Sequence, residues 1–421
     1  MSSRLAKALT WPARQLHRGY GIRDLPSLAA ARLRGVSPEA WEEALNERET
    51  ATRAEIVHST PRTLFLEITG RCPIECLMCA RRYRNWTYGD LDEAVFGKLA
   101  PILPRVGIVV LGGFGEPLAA REFDHYFERL SALNARVALQ TSGYRLTEER
   151  ADRLLKGGLR HLHISMDSPD EETYTSIRPR IAFRDVTSRI RQIVGAKREI
   201  GAAFPTVHVV FVAMRRNIEQ LPAMVDLVAD MGADNLTVQY MVAHGEDVRS
   251  ESLFYHQELS NRMLDAAQAR AREVGLNVTL PARFGEPHPP SPSPRAERGR
   301  IEKVGKSTST RGEVPPSDSS TPRLLDSSPF ACTDPWKVAF VRWNGEVHPC
   351  CYSPSTVVMG TLTDTPFWDI WNGPAYRDLR RRVNSPNPPE YCHTCTIGRM
   401  CGVDDERAHV VLGASATGEG S

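Results

Sequence analysis

The chain has 421 residues, of which 41% are hydrophobic and 25% are charged, the composition of a globular protein. Its 53 lysines and arginines nearly balance its 51 aspartates and glutamates, so the net charge of +2 argues against a nucleic-acid-binding protein. The length predicts two or three domains, because single cores rarely exceed about 250–300 residues. We predict no transmembrane helix, because no run of 18 apolar residues occurs.

Residues 1–58 are predicted to form an N-terminal helical extension. The first 23 residues carry five basic residues and no acidic one, a pattern also typical of targeting or membrane-surface helices. We favour a basic helix lying on the folded domain, because Trp11 and Leu16 offer packing surface and no apolar stretch or cleavage site follows.

Residues 59–282 alternate strand-like and helix-like stretches, which predicts the core domain. The strand candidates are residues 63–69, 106–111, 136–141, 161–166, 206–213 and 235–241. The helical patterns between them include residues 121–133, 146–155, 185–198 and 219–231. Six β–α units in series predict an α/β fold with a parallel sheet, open or partly closed into a barrel.

Two further segments follow the core. Residues 286–329 are rich in proline, serine and charge, which predicts a disordered linker. A second folded unit is predicted over residues 330–404, beginning with a hairpin that turns at Asn344-Gly345. Short helices are predicted at residues 366–371 and 374–383 of this unit, and residues 405–421 are predicted to form a disordered tail.

The nine cysteines are clustered: three lie within eight residues and six follow residue 331. A secreted disulfide scaffold is shorter and denser in cysteine than this chain. The clusters therefore favour metal ligation in a reducing compartment, and they predict a cytoplasmic protein.

Cys72, Cys76 and Cys79 follow the first predicted strand with the spacing C-x3-C-x2-C. Three thiolates in one loop can bind three irons of a cubane and leave the fourth iron open, whereas cubanes are normally held by four cysteines. The loop follows a strand of a predicted parallel sheet, and α/β proteins place their sites at that edge. A zinc site is the alternative here, but the loop lacks a fourth ligand.

The segment ITGRCPIECLMC resembles the cluster loop of the radical S-adenosylmethionine (SAM) superfamily. The resemblance implies a partial (β/α)6 TIM-like barrel and a catalytic [4Fe–4S] cluster whose open iron chelates SAM. It further implies reductive cleavage of SAM to a 5′-deoxyadenosyl radical, which abstracts hydrogen from a substrate. Met78 stands where relatives often have an aromatic residue near adenine.

The resemblance extends to the segments that follow the later strands. GGFGEP follows the second strand, and by resemblance its Gly115 and Glu116 contact the amino group of SAM. Ser165, at the end of the fourth strand, is implied to lie near the ribose. Arg178 is implied to pair with the SAM carboxylate, with a solvated helix-end residue as the alternative. Ser142 replaces the usual asparagine after the third strand.

Side chains alternate across a strand, so the fourth strand presents two different faces. Leu162 and Ile164 share one face, and His161, His163 and Ser165 share the other. We expect the apolar face to meet the helices and the polar face to line a lumen that suits SAM and a polar substrate. Histidines inside a barrel are also commonly structural, hydrogen-bonded groups.

The C-terminal segments WNGEVHPCC and DIWNGP resemble the SPASM/twitch extension of the same superfamily. The full SPASM pattern has seven cysteines, but no cysteine follows Cys401 here, which argues for one auxiliary [4Fe–4S] cluster. Four cysteines are assigned to it: Cys332, Cys350, Cys392 and Cys395. Cys351 and Cys401 are substitutes or bystanders. Zinc bound by the same four thiolates is the alternative.

Together these patterns predict a radical SAM enzyme of the SPASM/twitch type that acts on a peptide or a polar small molecule. Its electrons would come from a donor such as flavodoxin or ferredoxin. An iron–sulfur electron-transfer protein without SAM chemistry is one alternative, and a zinc-stabilised α/β binding protein is another. Residues 25–50 predict helix rather than a peptide-binding module, which weakens the peptide hypothesis.

Overall fold

The structure is a computed structural model, and it describes residue 29 and residues 35–83, 86–285, 332–351, 353 and 355–393. Several predicted features lie outside the described residues: the basic segment at residues 1–23, the linker, the tail, Cys395 and Cys401. Within the described ranges, no helix is both long and apolar enough to cross a membrane.

The core is a parallel sheet whose strands alternate with helices. Its strands are β1 (Thr63–Leu66), β2 (Ile108–Leu111), β3 (Val137–Thr141), β4 (His161–Ser165), β5 (Thr206–Ala213), β6 (Asn235–Tyr240) and β7 (Asn277–Thr279). Its helices are α1 (Pro38–Ala51), α2 (Glu93–Leu99), α3 (Phe123–Ala132), α4 (Glu148–Lys156), α5 (Glu171–Ile177), α6 (Phe183–Glu199), α7 (Leu221–Met231) and α8 (Gln257–Val274). Strands β1 to β7 are neighbours in chain order and all pair in parallel.

The C-terminal unit continues the same sheet beyond β1. Its elements are α9 (Asp334–Lys337), β8 (Val338–Val341), β9 (Glu346–His348), β10 (Gly360–Thr361), α10 (Phe367–Trp371), α11 (Pro374–Arg382) and α12 (Glu390–His393). Strand β8 pairs in parallel with all four residues of β1, and β9 and β10 add antiparallel strands outside it. The unit is therefore joined to the core through the sheet itself.

The predicted α/β fold with a parallel sheet is confirmed, and its six predicted strands correspond to β1–β6. The bounds of β5 agree to the residue, whereas β1 ends at Leu66 and not at Thr69. Beyond Leu66 the chain leaves the ladder with β2, because the carbonyl of Ile68 accepts a hydrogen bond from Leu91 and Thr69 bridges to Asp90.

Strand β4 has the predicted alternation of buried and half-buried residues. Leu162 and Ile164 are fully buried in the apolar core. On the other face, the His163 ring stacks on His208 at 4.7 Å between centroids. Burial, followed by the neighbouring His208 and His161, lowers the pKa of His163 to about 4. This ring is therefore neutral near pH 7.

Helix α1 is fastened to the base of the barrel by buried polar groups. Asn46 Nδ2 donates to the carbonyl of Trp336, 2.7 Å away, and to Ser59 Oγ at 2.9 Å. The Glu49 carboxylate accepts from the main-chain N–H groups of His58 and Ser59. One helix thus connects the segment before β1 to the C-terminal unit.

Candidate active site and auxiliary cluster site

The cysteine loop lies beyond the carboxyl end of β1. Cys72, Cys76 and Cys79 are half-buried thiols that form no disulfide. The N–H of Cys79 donates to the carbonyl of Cys76 at 3.1 Å, which closes a turn. The N–H of Leu77 donates to the carbonyl of Ile177 at 2.9 Å, which ties the loop to the end of α5. The loop is therefore held at the mouth of the barrel.

Arg178 connects this loop to the end of β4. Its Nη1 lies 3.4 Å from Cys76 Sγ, and its Nε donates to Asp167 Oδ2 at 2.6 Å. Only 7% of Arg178 is exposed, so it is not a solvated helix-end residue. Burial opposes its charge, but the Asp167 carboxylate and the Cys76 thiol outweigh burial and raise the pKa of Arg178. It is thus a buried, permanent cation beside a cluster thiol.

Arg81 is a second cation at the thiols, and sequence reasoning missed its role. Its Nη2 donates to the carbonyl of Ile74 at 2.8 Å, which holds the guanidinium over the loop. Burial opposes its charge, but Cys72 and Cys79 raise the pKa of Arg81. Its position two residues after the third cysteine was the available signal.

Burial raises the pKa of Cys72 to about 12, and it also raises the pKa of Cys76, while Arg81 and Arg178 oppose these shifts. Metal binding requires thiolates, so the two arginines offset part of the cost of ionising buried thiols. In the described part of the chain, no three His, Cys, Asp or Glu side chains are arranged to hold a single metal ion. A cubane does not need such convergence, because each thiolate binds a different iron. The donor set fits an iron–sulfur cluster.

The glycine-rich segment after β2 approaches the cysteine loop closely. A Cβ on Gly115 would lie 1.9 Å from the carbonyl oxygen of Thr69, so only glycine fits there. The buried Glu116 carboxylate accepts from Thr141 Oγ1, Ser142 N and Ser142 Oγ at 2.6, 2.8 and 2.6 Å. These bonds tie the β2 loop to the end of β3, and they give Ser142 a role that the sequence did not show.

Burial raises the pKa of Glu116, and the hydrogen bonds from Ser142 and Thr141 oppose that shift. The N–H of Leu118 donates a further bond to the carboxylate at 3.1 Å. Four protein donors thus engage the Glu116 carboxylate, and its N–H donates to the carbonyl of Arg71 at 2.8 Å, next to Cys72. Ser165 is half-buried at the carboxyl end of β4, on the face that carries His163.

Met78 joins a small apolar cluster beneath the loop. Leu77, Met78, Tyr83 and Val212 pack against its buried members, which are Ile177, Met214, Met241, Ala243 and Val248. An apolar platform therefore lies beside the cysteines, although the aromatic residue common in relatives is absent at position 78.

Cys332, Cys350 and Cys392 line one cavity of about 30 Å³ in the C-terminal unit. Leu379 and Val383 supply apolar walls. The fourth assigned ligand, Cys395, lies outside the described residues. Three thiols thus line the same cavity, from α12, from the segment after β9 and from the segment before α9, and they fit part of the expected cluster ligand set.

A buried ion pair joins the residue after β1 to the residue after β8. Glu67 Oε2 accepts from the N–H of Phe114 at 2.8 Å, and Glu67 Oε1 lies 3.4 Å from Arg342 Nε. The Arg342 guanidinium carbon is 4.4 Å from the centre of the Trp86 ring. Arg342 and Trp86 line a second cavity with Cys350. These contacts connect the end of β1 and the glycine-rich segment after β2 to the surroundings of Cys350.

Comparison with protein-family models agrees with this geometry. Residues 66–246 match the model described as the radical SAM superfamily. Residues 332–396 match the SPASM model, described as an iron–sulfur cluster-binding domain. The two models therefore cover both cysteine groups.

Similar curated proteins include the tungsten-containing aldehyde ferredoxin oxidoreductase cofactor-modifying protein of Pyrococcus furiosus, 23% identical over 80% of this chain and 88% of that protein. The pre-heme d1 synthase of Dinoroseobacter shibae is 25% identical over 83% of each chain. The PqqA peptide cyclase of Xanthomonas axonopodis is 25% identical over 80% of each.

Among solved structures, Streptococcus suis SuiB bound to S-adenosylmethionine matches with a TM-score of 0.56 and 14% identity, over 94% of this chain and 84% of that one. At this identity the match shows a shared fold. The native anSMEcpe structure with bound AdoMet gives a TM-score of 0.53 at 17% identity, over 80% and 87% of the two chains.

The chain belongs to the radical SAM superfamily and carries a C-terminal SPASM domain. It is an enzyme whose cofactors are a [4Fe–4S] cluster and SAM, and its SPASM domain binds auxiliary iron–sulfur. The predicted family, fold and cofactor classes are confirmed. An electron carrier without SAM chemistry and a zinc-stabilised binding protein, the two alternatives from the sequence, do not agree with this assignment.

Proposed function

We propose that this enzyme cleaves SAM reductively and abstracts a hydrogen atom from a peptide or a polar small molecule. The observation that carries the proposal is the arrangement at the barrel mouth. Three thiols, two arginines and the main chain of Gly115 and Glu116 meet there, beside a polar lumen. When bound, the cluster and SAM supply a 5′-deoxyadenosyl radical.

Each residue at the mouth has a proposed part in that reaction. Cys72, Cys76 and Cys79 bind three irons. The main chain at Gly115 and Glu116 accepts the SAM ammonium, while the Glu116 carboxylate holds that main chain in place through Ser142. Arg178 balances the charge at Cys76 and directs its remaining N–H groups to the SAM carboxylate.

The other assignments complete the proposal. Ser165 contacts the ribose from the end of β4, and the apolar platform under Met78 accepts adenine. We propose that Cys332, Cys350, Cys392 and Cys395 hold one auxiliary cluster. When bound, it would supply an acceptor for an electron from a substrate radical, or a binding site for the substrate. The core spans residues 59–282 and the auxiliary domain residues 330–404.

The proposed substrate class is based on the polar groups of the lumen and on the relatives. The lumen is lined by polar groups such as His163 and Ser165, which suit a polar substrate. The named relatives act on a peptide in one case and on cofactors or their precursors in others. We propose a low-potential electron donor such as flavodoxin or ferredoxin, and a reducing cytoplasmic location that keeps the clustered thiols reduced.

The first test is anaerobic reconstitution with iron and sulfide, followed by SAM and dithionite and measurement of 5′-deoxyadenosine. We expect product from the native chain and none from the Cys72→Ala/Cys76→Ala/Cys79→Ala variant. The spectrum of the reduced cluster should also change when SAM is added. Intact cluster absorbance with neither product nor a SAM-dependent spectral change would contradict the proposal.

A second test separates the auxiliary cluster from zinc. We expect about eight iron atoms per reconstituted chain, and about four after all four auxiliary cysteines are replaced by alanine. Stoichiometric zinc in the anaerobically purified native chain, removed by the same replacements, would instead favour the zinc site.

A further inference from the structure

The cluster proposed above must receive its electron from outside the chain. The protein surface near the cluster is therefore where an electron donor would bind. Cys72 contributes to the wall of an open cavity of about 580 Å³ beside the cysteine loop. The cavity is framed by loops that follow β1, β2 and β3. An iron–sulfur cluster held by Cys72 would therefore lie next to this cavity.

The surface around Cys72 is strongly basic. Arg71, Arg81, Arg82 and Arg145 line the cavity, and Glu75 is the one acidic residue among its lining residues. This gives a local excess of three positive charges, whereas the whole chain has a formal net charge of only +2.

The acidic side chains nearby do not cancel this field. Glu75 Oε1 lies 2.8 Å from Nη2 of Arg180, an arginine outside the cavity. Asp90 Oδ2 lies 3.4 Å from Arg71 Nε. Each acid is therefore matched by one arginine, and Arg82 and Arg145 remain as exposed cations.

Arg145 lies at the rim of the cavity in an unusual backbone conformation. Its φ of 53° is left-handed, a backbone conformation that favours glycine or asparagine. Its guanidinium lies 5.4 Å from the Tyr144 ring, at the rim of the cavity. The exposed side chain thus adds a positive charge to the rim of the cavity.

We propose that this surface, formed by Arg71, Arg82, Arg145 and the exposed Tyr88 around Cys72, docks an acidic, low-potential electron-carrier protein of the flavodoxin or ferredoxin type. Complementary charge speeds encounter and fixes orientation more than it adds affinity. Transient redox complexes of this kind bury little surface. One electron passes from the reduced carrier to the cluster behind Cys72, so the carrier is oxidised by one electron and no bond changes.

The inference rests on the proposed function, and its test keeps the two apart. The probes are a bacterial flavodoxin and a [2Fe–2S] ferredoxin, titrated by calorimetry against the reconstituted enzyme at low and at high salt. The variant is Arg71→Glu/Arg82→Glu/Arg145→Glu, which leaves Arg81 and its contact with Ile74 intact. The matched control is Arg153→Glu/Lys156→Glu/Arg272→Glu, an equal charge reversal on α4 and α8 away from the mouth.

We expect at least one carrier to bind the native chain and the control, with an affinity that falls as salt rises. Binding to the Arg71/Arg82/Arg145 variant should be weaker by about tenfold or more, with its salt dependence largely lost. Carrier-driven 5′-deoxyadenosine formation should fall in parallel, while dithionite-driven formation should stay within about twofold, because dithionite needs no docking surface.

Binding of neither carrier to the native chain, or equal binding to native chain and variant, would overturn the docking surface. If the reversal variant does not assemble its cluster, the same titrations are made with the milder Arg71→Gln/Arg82→Gln/Arg145→Gln variant. Weaker carrier binding than in the native chain is again the expected result, and equal binding would overturn the docking surface. Failure of dithionite-driven cleavage in the native chain would count against the proposed function instead, because the binding titration does not depend on SAM.

Discussion

An arginine–carboxylate pair is buried at each end of the barrel, and the two pairs are used differently. At the base, Arg105 Nη2 lies 3.2 Å from Glu42 Oε2 and also donates to the carbonyl of His58. Glu42 in turn accepts from the N–H of Thr60 at 2.7 Å. Every partner named here is structural, because the contacts join α1 to the segment before β1.

At the mouth, Arg178 and Asp167 are as deeply buried, but their contacts point elsewhere. Asp167 takes one hydrogen bond from Val212 and one from Arg178, and the guanidinium then reaches Cys76. The same chemistry therefore serves stability at the base and the cluster at the mouth. What distinguishes the pairs is the group that the arginine meets beyond its carboxylate.

The largest expected effect comes from breaking the base pair. Arg105→Met leaves the Glu42 carboxylate buried without its cation, so the free energy of unfolding should fall by about 3–5 kcal/mol. Urea denaturation measures the loss, and a Glu42→Met/Arg105→Met chain should recover part of it. SAM cleavage per assembled cluster should be unchanged, and a parallel loss of cleavage would contradict a purely structural role.

Arg178→Lys tests the mouth pair. An ammonium keeps the charge beside Asp167 but cannot bridge Asp167 and Cys76 as a planar fork does. We expect 5′-deoxyadenosine formation to fall about 100-fold, equivalent to about 2.7 kcal/mol, together with a changed spectrum of the reduced cluster. Arg105→Lys is the matched control. Similar losses of SAM cleavage in both variants would contradict the proposal that only the Arg178–Asp167 pair serves the cluster.

The lumen between the two ends predicts a pH dependence. The pKa of His163 falls to about 4 in the folded chain, below its ordinary value of 6.5. Between these values the unfolded chain binds the extra proton, so stability is complete above pH 6.5 and declines as pH falls toward 4. We expect a loss of about 2 kcal/mol at pH 4 from this half-buried ring. Urea titrations should show a flatter pH profile for His163→Gln, and an unchanged profile would argue against this histidine.

The smallest expected effect is at the loop that the Glu116 carboxylate holds. Glu116→Gln keeps the shape but replaces one acceptor oxygen by an N–H donor facing Ser142. We expect SAM to bind about tenfold more weakly, equivalent to about 1.4 kcal/mol, while cluster content is retained. Equilibrium dialysis measures the affinity for SAM, with Ser142→Ala as the comparison. An unchanged affinity in both variants would contradict a role of Glu116 in SAM binding.

The sheet was predictable because its strands are short, largely apolar runs separated by helical patterns. The run of β-branched residues in β5, between Pro205 and Met214, is the clearest case. The error at β1 has a physical cause. After Leu66 the main chain bonds to a distant segment instead of β2, because Ile68 accepts from Leu91 and Thr69 bridges to Asp90. Local propensity does not contain that long-range contact.

The same limit applies to the site. The cysteine spacing is local, so it was readable, and so was the glycine that a close approach requires. The bonds from Ser142 to Glu116 span 26 residues, and the contact from Arg178 to Cys76 spans 102. Roles that arise from such contacts appear only when the fold brings the partners together.

The pairing of β8 with β1 has a consequence for how the chain can be divided. All four residues of β1 are matched by β8, so a chain that stopped at residue 285 would bare that flank of β1. An uncovered strand flank offers unpaired N–H and C=O groups to any other chain, which is a template for aggregation. The SPASM segment thus acts as a protective cover as well as a cofactor holder, and truncation at the apparent domain boundary should yield insoluble protein.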